Sequence, residues 1–407
     1  MIVLSGADLV LPQGILRGGT LVIEGDRIVD VIGPAPPDAT FNLRGHIIVP
    51  GFIDVHVHGL EGIDSLDGPE AIPGIARLLP RYGVTAFCPT TVACRPEALR
   101  EMLSIVREHG SQVAPSAARV LPAHLESNFI NPDYKGAQPI DCLRKPPKLG
   151  STGPSRRSGE AAKADAADAA DFDGDDILAE IDRAGESVGI VTLAPELDGA
   201  LDLIRYLVAR GRCVSLGHSG ATLEQARAAI AAGARQATHL FNRMPPLNHR
   251  DPGLAGAVLT SEEIAAEIIC DSVHVHRDMV RMAVSSKGVS RVMAITDGVA
   301  AAGLREGTTA SLGGRTIRVE RGAAYLEDGT LAGSVATMDC AFRFLVCDVG
   351  LSWNDAARLC STTPASELGL ADLGLIQKGA IADFVVMDRD FTVKQTYIGG
   401  RLAYAAA

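Results

Sequence analysis

The chain has 407 residues, a formal net charge of −11 at pH 7, and 47% hydrophobic against 21% charged residues. This is the composition of a globular protein, and its acidic balance gives no electrostatic case for a nucleic acid or an anionic membrane as partner. A small molecule is the predicted partner, and a local basic pocket remains compatible with a bound phosphate. The length predicts a large domain with a smaller one appended.

The eight cysteines show no CxxC pairing, and most lie in apolar stretches where a thiol acts as a small buried hydrophobe. Residues 1–10 lack the basic start and the long apolar run of a signal peptide. No uninterrupted apolar stretch reaches the roughly 18 residues that a membrane span needs. We therefore expect a protein of the reducing cytoplasm.

The N-terminal residues predict β structure. Residues 21–32 alternate around Gly25-Asp26-Arg27, which indicates a hairpin, and residues 46–50 lead directly into a longer series of strands. Near the C-terminus, residues 382–387, 393–398 and 401–404 form three further candidate strands. Neither end has enough strands to be stable alone, so both are predicted to form one small β-sandwich domain.

Between these ends, eight apolar runs have the length of buried parallel strands. They span residues 52–58, 84–91, 119–126, 188–194, 213–218, 236–240, 264–271 and 291–297. Helix-like stretches separate most of them, at 96–110, 198–211, 222–233 and 277–288. Thr222 and Gln225 form a capping-box start, and Gly233 marks a stop. Eight alternating units predict a (β/α)8 TIM-like barrel over residues 50–362, with residues 1–49 and 363–407 forming the small domain.

Two segments interrupt this pattern. Residues 150–176 are poor in large apolar side chains and rich in alanine and aspartate, so we expect a low-complexity surface insertion without a chemical role. A short solvated helix is the alternative. Residues 311–333 alternate around several glycines and predict a β-hairpin excursion near the barrel mouth.

Six polar residues fall at or just beyond the C-terminal ends of the strand-like runs, where the side chains of a barrel converge on one mouth. They are His56, His58, Glu126, His218, His239 and Asp297. The first two lie on the same side of a strand because side chains alternate, so both can reach one ion. An HxH triplet alone is a weak signal, since Val273-His274-Val275-His276 also contains one. Together the six predict a metal site.

Glu126 follows an apolar segment, where an unpaired carboxylate is costly to bury. A metal would remove that cost, and pairing with an arginine is the alternative. Asp297 is placed to accept a proton from water and to deliver it to a leaving nitrogen. The remaining histidines, His46, His109, His124, His249 and His276, lack this placement and are predicted to be surface or hydrogen-bonded structural residues.

Ten motifs follow one another along nearly the whole chain: VPGFIDVHVHG at 49–59, HLE at 124–126, KGAQP at 135–139, LAPE at 193–196, GHS at 217–219, THLFN at 238–242, PGLAG at 252–256, His274, TDG at 296–298 and LAGS at 331–334. In this order they resemble the N-acetylglucosamine-6-phosphate deacetylase family of the amidohydrolase superfamily. The resemblance implies a barrel with a small β-sandwich domain, a divalent metal and removal of acetate from an N-acetylhexosamine 6-phosphate.

The resemblance also implies residue roles. Glu126, His218 and His239 would hold the principal ion, His56 and His58 a second one, and Asp297, also at the metal, would be the acid/base. The substrate contacts implied are Gln138, Asn242, Arg243, Arg250, His274, Leu331, Ala332 and Gly333. Arg250 would reach the neighbouring subunit's site, which implies a homodimer. His and carboxylate ligands suit zinc, iron, manganese and cobalt alike, with one or two ions per subunit.

Two departures from the family leave the hexosamine epimer open. Ser127-Asn128 follows HLE where many relatives have Gly-Pro, and Gln138 replaces a histidine that polarises the scissile carbonyl in some relatives. Two other functions were weighed. A cyclic-amide hydrolase of the dihydroorotase or hydantoinase kind usually needs a lysine on the fourth strand, which residues 188–194 lack. A non-catalytic scaffold relative could have lost ligands, whereas this chain has all six.

Overall fold

A computed structural model describes residues 1–33, 41–110, 114, 116–150, 153–154 and 171–406 of the chain. Its centre is a parallel sheet in which neighbouring strands pair in sequence order. The barrel strands are β1 (Phe52–Val57), β2 (Val84–Thr91), β3 (Ala123–Glu126, preceded by the short strand Arg119–Val120), β4 (Val188–Leu193), β5 (Cys213–Leu216), β6 (Gln236–Ala237), β7 (Ala265–Ile269) and β8 (Val292–Ile295). All eight predicted runs contain a strand.

The sheet closes where the residues after β8 meet the end of β1. Val57 forms a parallel bridge with Gly298. The backbone N–H of Asp297 donates to the carbonyl of His56 at 3.1 Å, and that of His58 donates to the carbonyl of Gly298 at 2.8 Å. This closure confirms the predicted barrel and brings Asp297 beside the HxH pair.

Ten α-helices lie among the described residues: Ala71–Leu78, Pro96–Gly110, Gly174–Ala184, Ala200–Val208, Leu223–Ala232, Gly253–Thr260, Arg277–Lys287, Met338–Phe344, Trp353–Ala357 and Thr363–Glu367. The capping box at Thr222 and Gln225 is present, and Gly233 ends that helix in the left-handed conformation with φ of 117°. None of the helices in this part of the chain is long and apolar enough to cross a membrane.

Strands from both ends of the chain share one eight-stranded sheet. They are Ile2–Leu11, Gly14–Glu24, Arg27–Ile32, Phe41–Asn42, Ile47–Pro50, Phe384–Met387, Val393–Ile398 and Arg401–Ala405. Ile47–Pro50 joins the two ends, since it pairs parallel with the first strand and antiparallel with Phe384–Met387. The small β domain built from both termini is thus present, while its exact boundaries stay a prediction.

The excursion after β8 has three strands where the sequence indicated two. Thr309–Leu312, Arg315–Glu320 and Ala323–Leu326 form an antiparallel sheet. The second reversal lies at Arg321 and Gly322, both in the left-handed region with φ of 53° and 73°. Other short strand pairs are Gly59–Leu60 with Ile63–Asp64 and Leu149–Gly150 with Gly153–Pro154.

The predicted insertion at 150–176 falls largely outside the described residues, which exclude 151–152 and 155–170. Its last residues belong to the barrel. Phe172 is buried and packs under the Arg144 guanidinium, 3.7 Å from the ring centre. Asp173 then caps the helix Gly174–Ala184. The range that composition assigned to the insertion therefore extends too far at its C-terminal end.

We expect replacement of residues 155–170 by a Gly/Ser linker to leave kcat and metal content nearly unchanged. These residues contain no core-forming side chain larger than alanine and none of the candidate ligands. Steady-state kinetics and elemental analysis of the shortened protein test this. A loss of activity in a protein with unchanged circular dichroism and melting temperature would instead give the insertion a role at the site.

Candidate metal centre and substrate pocket

The six candidate ligands meet at the C-terminal mouth of the barrel. His218, His239 and Asp297 each follow a strand end with a positive φ, of 49°, 31° and 49° respectively. A non-glycine residue in this region costs of order 1–3 kcal/mol, and such strain is characteristic of functional sites. The sharp turn after each strand aims the side chain into the mouth.

One group of donor atoms surrounds Oε1 of Glu126. Nε2 of His218 lies 2.7 Å from this oxygen and Nε2 of His239 lies 2.8 Å from it. The two ring nitrogens are 3.1 Å apart. All three side chains are buried.

A second group adjoins the first. Nε2 of His56 and Nε2 of His58 are 3.1 Å apart, and they lie 3.4 and 3.3 Å from Oδ1 of Asp297. Oε2 of Glu126 is 3.4 Å from the His58 nitrogen. Glu126 therefore stands between the two groups: Oε2 faces His58, while Oε1 faces the first group and lies 3.8 Å from the His56 nitrogen.

The separations of 3.1 to 3.4 Å fit divalent ions, whereas the two contacts of Glu126 Oε1, at 2.7 and 2.8 Å, have the length of hydrogen bonds. Ligand atoms bound at about 2.1 Å lie roughly 3–3.5 Å from one another around an ion. The tautomers agree, because His218 Nδ1 donates to the carbonyl of Tyr134 at 2.8 Å and a neutral ring then has no hydrogen on Nε2. In a neutral ring, Nε2 presents a lone pair to the Glu126 oxygen, and either a bound cation or a proton on Nε2 relieves the contact of the two lone pairs.

The electrostatics point the same way. Burial alone would lower the pKa values of His56 and His58. The nearby carboxylates of Asp297 and Glu126 outweigh burial and raise the pKa of His58 to about 10. The same two carboxylates and that of Glu267 raise the pKa of His56 to about 9. Burial would likewise raise the pKa of Asp297, yet the charge of His56 and the hydrogen bond from His58 lower it to about 2. The site therefore stabilises positive charge between ionised carboxylates.

A cavity of about 480 Å³ opens above these residues. His58, Glu126, His218, His239 and Asp297 line its floor, and Asn242, Arg243 and His274 line its wall. Nδ2 of Asn242 is buried and has no hydrogen-bond partner among the described residues. His274 Nδ1 donates to Asp271 Oδ2 at 2.6 Å, which fixes the ring. The wall thus offers polar groups with free hydrogen-bonding capacity.

Gln138 lines the cavity, but one amide hydrogen is engaged. Its Oε1 accepts from the backbone N–H of Ala93 at 2.7 Å, so Nε2 faces Glu126 and donates to Oε2 of that carboxylate. Only the second hydrogen is left for a substrate. Gln138 therefore orients Glu126, in addition to the substrate contact that the resemblance implied.

The other predicted substrate residues differ in placement. Leu331 and Gly333 line the cavity, and Ala332 is fully buried beside it, with its N–H bonded to the carbonyl of Ala324. Arg250 is exposed on the loop after β6 and is not among the lining residues of its own chain.

Ser127 and Asn128 do not line the cavity. Ser127 Oγ donates to the carbonyl of Thr192 at 2.5 Å. Asn128 Nδ2 donates to the carbonyls of Cys94 and Cys142, each at 2.7 Å, and so ties two loops together beneath the site. Both residues are structural here.

Three buried acids near the site were missed from the sequence. Glu267 accepts from His56 Nδ1 at 2.9 Å, Asp271 orients His274, and Asp54 accepts from Thr296 Oγ1 at 2.6 Å. Burial raises the pKa of Asp54 to about 7. A lone carboxylate inside an apolar strand run was the available signal, because such a group needs partners.

His124 is a structural residue, as predicted. Its Nδ1 donates to the carbonyl of Val55 at 2.9 Å, and its Nε2 is 2.8 Å from Thr192 Oγ1. Burial lowers its pKa to about 4, so the ring is neutral.

Comparison with known proteins agrees with this geometry. Residues 47–403 match the model of the amidohydrolase family. Human N-acetylglucosamine-6-phosphate deacetylase is 36% identical over 419 residues, covering 96% of this chain and 94% of that protein. The Caenorhabditis elegans enzyme of the same name is 33% identical over 418 residues, covering 98% and 93%.

Solved structures give the same result. A mutant N-acetyl-D-glucosamine-6-phosphate deacetylase from Mycobacterium smegmatis, in complex with N-acetyl-D-glucosamine-6-phosphate, has a TM-score of 0.87 at 32% identity over 99% of both chains. The Thermotoga maritima deacetylase has a TM-score of 0.84 at 31% identity over 100% of both chains.

Proposed function

Because the chain belongs to the amidohydrolase family, we propose that it is a metal-dependent deacetylase that converts N-acetyl-D-glucosamine 6-phosphate to the amino-sugar 6-phosphate and acetate. The observation that carries this proposal is the match, over nearly the full length, to a relative crystallised with that sugar phosphate. The convergence of four histidines and two carboxylates at the barrel mouth supports it.

We assign the ions as follows. Glu126, His218 and His239 would hold the principal ion, while His56 and His58, with Asp297 beside them, would hold a second one. Bound there, a divalent ion supplies Lewis-acid polarisation and activates water near neutral pH. Zinc, iron, manganese and cobalt all suit these ligands. The donor distances, the His218 tautomer and the buried negative charge support the assignment.

Asp297 is the general acid and base of this proposal. Its Oδ1 lies within 3.4 Å of both HxH nitrogens, so a water bound at these side chains would be within reach of the carboxylate. It takes the proton of that water as the acetyl carbonyl is attacked, and it returns the proton to the sugar nitrogen as the C–N bond breaks. The same side chain lines the substrate cavity.

The cavity wall supplies substrate recognition. Asn242, with its unpartnered buried amide, and the Arg243 guanidinium offer donors for the phosphate. His274, held by Asp271, also lines the wall, and Gln138 contacts Glu126 at the floor. They are assigned to the sugar and its acetamide carbonyl, where donors stabilise negative charge during attack.

A panel of substrates tests the function. Acetate release is measured with N-acetylglucosamine 6-phosphate, its galactosamine and mannosamine epimers and unphosphorylated N-acetylglucosamine, and ring opening with dihydroorotate and hydantoin. We expect the highest kcat/KM for the first. Preferred turnover of a cyclic amide would favour the alternative hydrolase, and turnover of none of them would favour the scaffold.

A homodimer with Arg250 donated across the interface is also proposed. The exposed Arg250 does not line the substrate cavity of its own chain. Its guanidinium suits a phosphate because its N–H donors form a fork. Losing a charge-assisted contact costs about 1.5–3 kcal/mol. Arg250→Ala should therefore lower kcat/KM for the phosphorylated sugar by about 10- to 150-fold, and barely change residual turnover of the unphosphorylated one.

A complementation experiment shows whether Arg250 acts in its own subunit's site or in the partner's. Mixing Arg250→Ala with Asp297→Asn chains should restore one site, which combines an intact Asp297 with the partner's arginine. Arg227→Ala, at an exposed helix position, is the matched control and should behave as the wild type. An absence of complementation in verified mixed dimers would place Arg250 in its own subunit's site or in neither.

A further inference from the structure

Glu267 is a buried carboxylate of β7 with no role in the assignment above. Its side chain is fully buried, and within the described chain it forms ion pairs with His56 and His124. Taking such a charge out of water is costly unless donors compensate for it. The donors around Glu267 therefore decide whether it stays ionised.

Both oxygens of Glu267 accept hydrogen bonds. His56 Nδ1 donates to Oε2 at 2.9 Å, and the side-chain amide of Gln236 donates to Oε1. The backbone N–H of His239 also points at Oε2, at 3.4 Å. The carboxylate is thus held in one orientation by groups on β1, on β6 and in the turn that follows β6.

This contact fixes the tautomer of His56. A hydrogen on Nδ1, directed at Glu267, leaves the lone pair of Nε2 for the HxH group. The other three candidate histidine ligands differ from His56. Nδ1 of His58 and Nδ1 of His239 have no hydrogen-bond partner in the described structure, and Nδ1 of His218 donates to a backbone carbonyl. Within the described chain, His56 alone among the four has a carboxylate on its outer nitrogen.

The nearby His124 does not compete for this carboxylate. Its Nδ1 is 3.7 Å from Oε1 of Glu267, while the same atom donates to the carbonyl of Val55 at 2.9 Å. The hydrogen bond of Glu267 to a ring is therefore made to His56.

We propose that Glu267 is the positioning residue of the second ion. It orients His56 and makes its Nε2 a stronger ligand, so the HxH site depends on a carboxylate that does not itself ligate the ion. Removing such an outer partner typically weakens metal affinity by about 10- to 100-fold. The inference rests on the proposed metal-dependent function, and it adds that the two ions differ in their dependence on Glu267.

Two variants test it. Glu267→Gln keeps the size of the side chain and an oxygen that accepts from His56, but it removes the negative charge. Its new NH2 group then faces the NH2 group of Gln236, so the hydrogen bond between these two side chains is lost. The double variant Glu267→Gln/Gln236→Glu restores the hydrogen bond between these side chains and moves the negative charge away from His56. It serves as the control for packing and stability.

Chelator-stripped protein is titrated with Co²⁺, and binding is followed by calorimetry and by the visible absorption of the bound ion. We expect two ions in the wild type. In Glu267→Gln the weaker step should lose affinity by about 10- to 100-fold, with the tighter step unchanged. The double variant should regain the wild-type melting temperature and retain the weak second step.

Recovery of both steps in the double variant would show that Glu267 only supports packing, and would overturn the inference. So would unchanged affinities in Glu267→Gln, or a wild type that binds a single ion. A wild-type protein that binds no ion would contradict the proposed function itself.

Discussion

Replacing Asp297 with asparagine is expected to lower kcat by about 10²- to 10⁴-fold, the range lost when general acid–base catalysis is removed. Asparagine keeps the size of the side chain and an oxygen, but it cannot take up a proton. The principal ion should stay bound, because its proposed ligands are Glu126, His218 and His239. Single-turnover kinetics, KM and metal content of the purified variant measure these quantities.

The control is Asp202→Asn, a carboxylate that is exposed on a helix and pairs with Arg205. It should have wild-type kinetics. If Asp297→Asn retained near-normal kcat with its metal bound, another residue would have to move the proton. The buried Asp54, bonded to Thr296 next to Asp297, would then be the first candidate.

His239→Ala is expected to release the principal ion and to abolish turnover. The ring nitrogen lies 2.8 Å from Glu126 and 3.1 Å from His218, so its removal opens one of the three corners of that group. Loss of even an outer partner weakens metal binding by about 10- to 100-fold, and loss of a ligand should exceed that. Elemental analysis after dialysis gives the ion content per chain.

Two other histidine variants serve as controls for His239→Ala. His56→Ala should keep the principal ion at least in part, since the HxH pair belongs to the other group. His109→Ala, on the helix Pro96–Gly110, should change nothing. Equal ion content in His239→Ala and the wild type would contradict the proposed ligand set.

The barrel was predictable because buried parallel strands and amphipathic helices have distinct patterns of apolar residues along the sequence. The run 84–91 and the helix 96–110 match the structure residue for residue. The sixth run, 236–240, is shorter as a strand and ends at Ala237. His239 leaves the extended conformation to reach the mouth, and a left-handed backbone at a histidine has no signal in sequence periodicity.

Contacts between distant residues account for what the sequence missed in the site. Glu267 lies 211 positions from His56, and only closure of the barrel brings them together. Gln138 is similar, since its amide is oriented by the backbone of Ala93 on another loop. The role proposed for Arg250 involves a partner subunit, so the contacts of a single chain do not test it.

Titrating chelator-stripped protein with a divalent ion, while following acetate release from N-acetyl-D-glucosamine 6-phosphate, tests the central claim most directly. The account predicts no release without the ion. Release should then rise with bound ion and match the formation of amino-sugar phosphate mole for mole. Full activity in protein that contains no metal by elemental analysis, or no acetate from fully loaded protein, would contradict it.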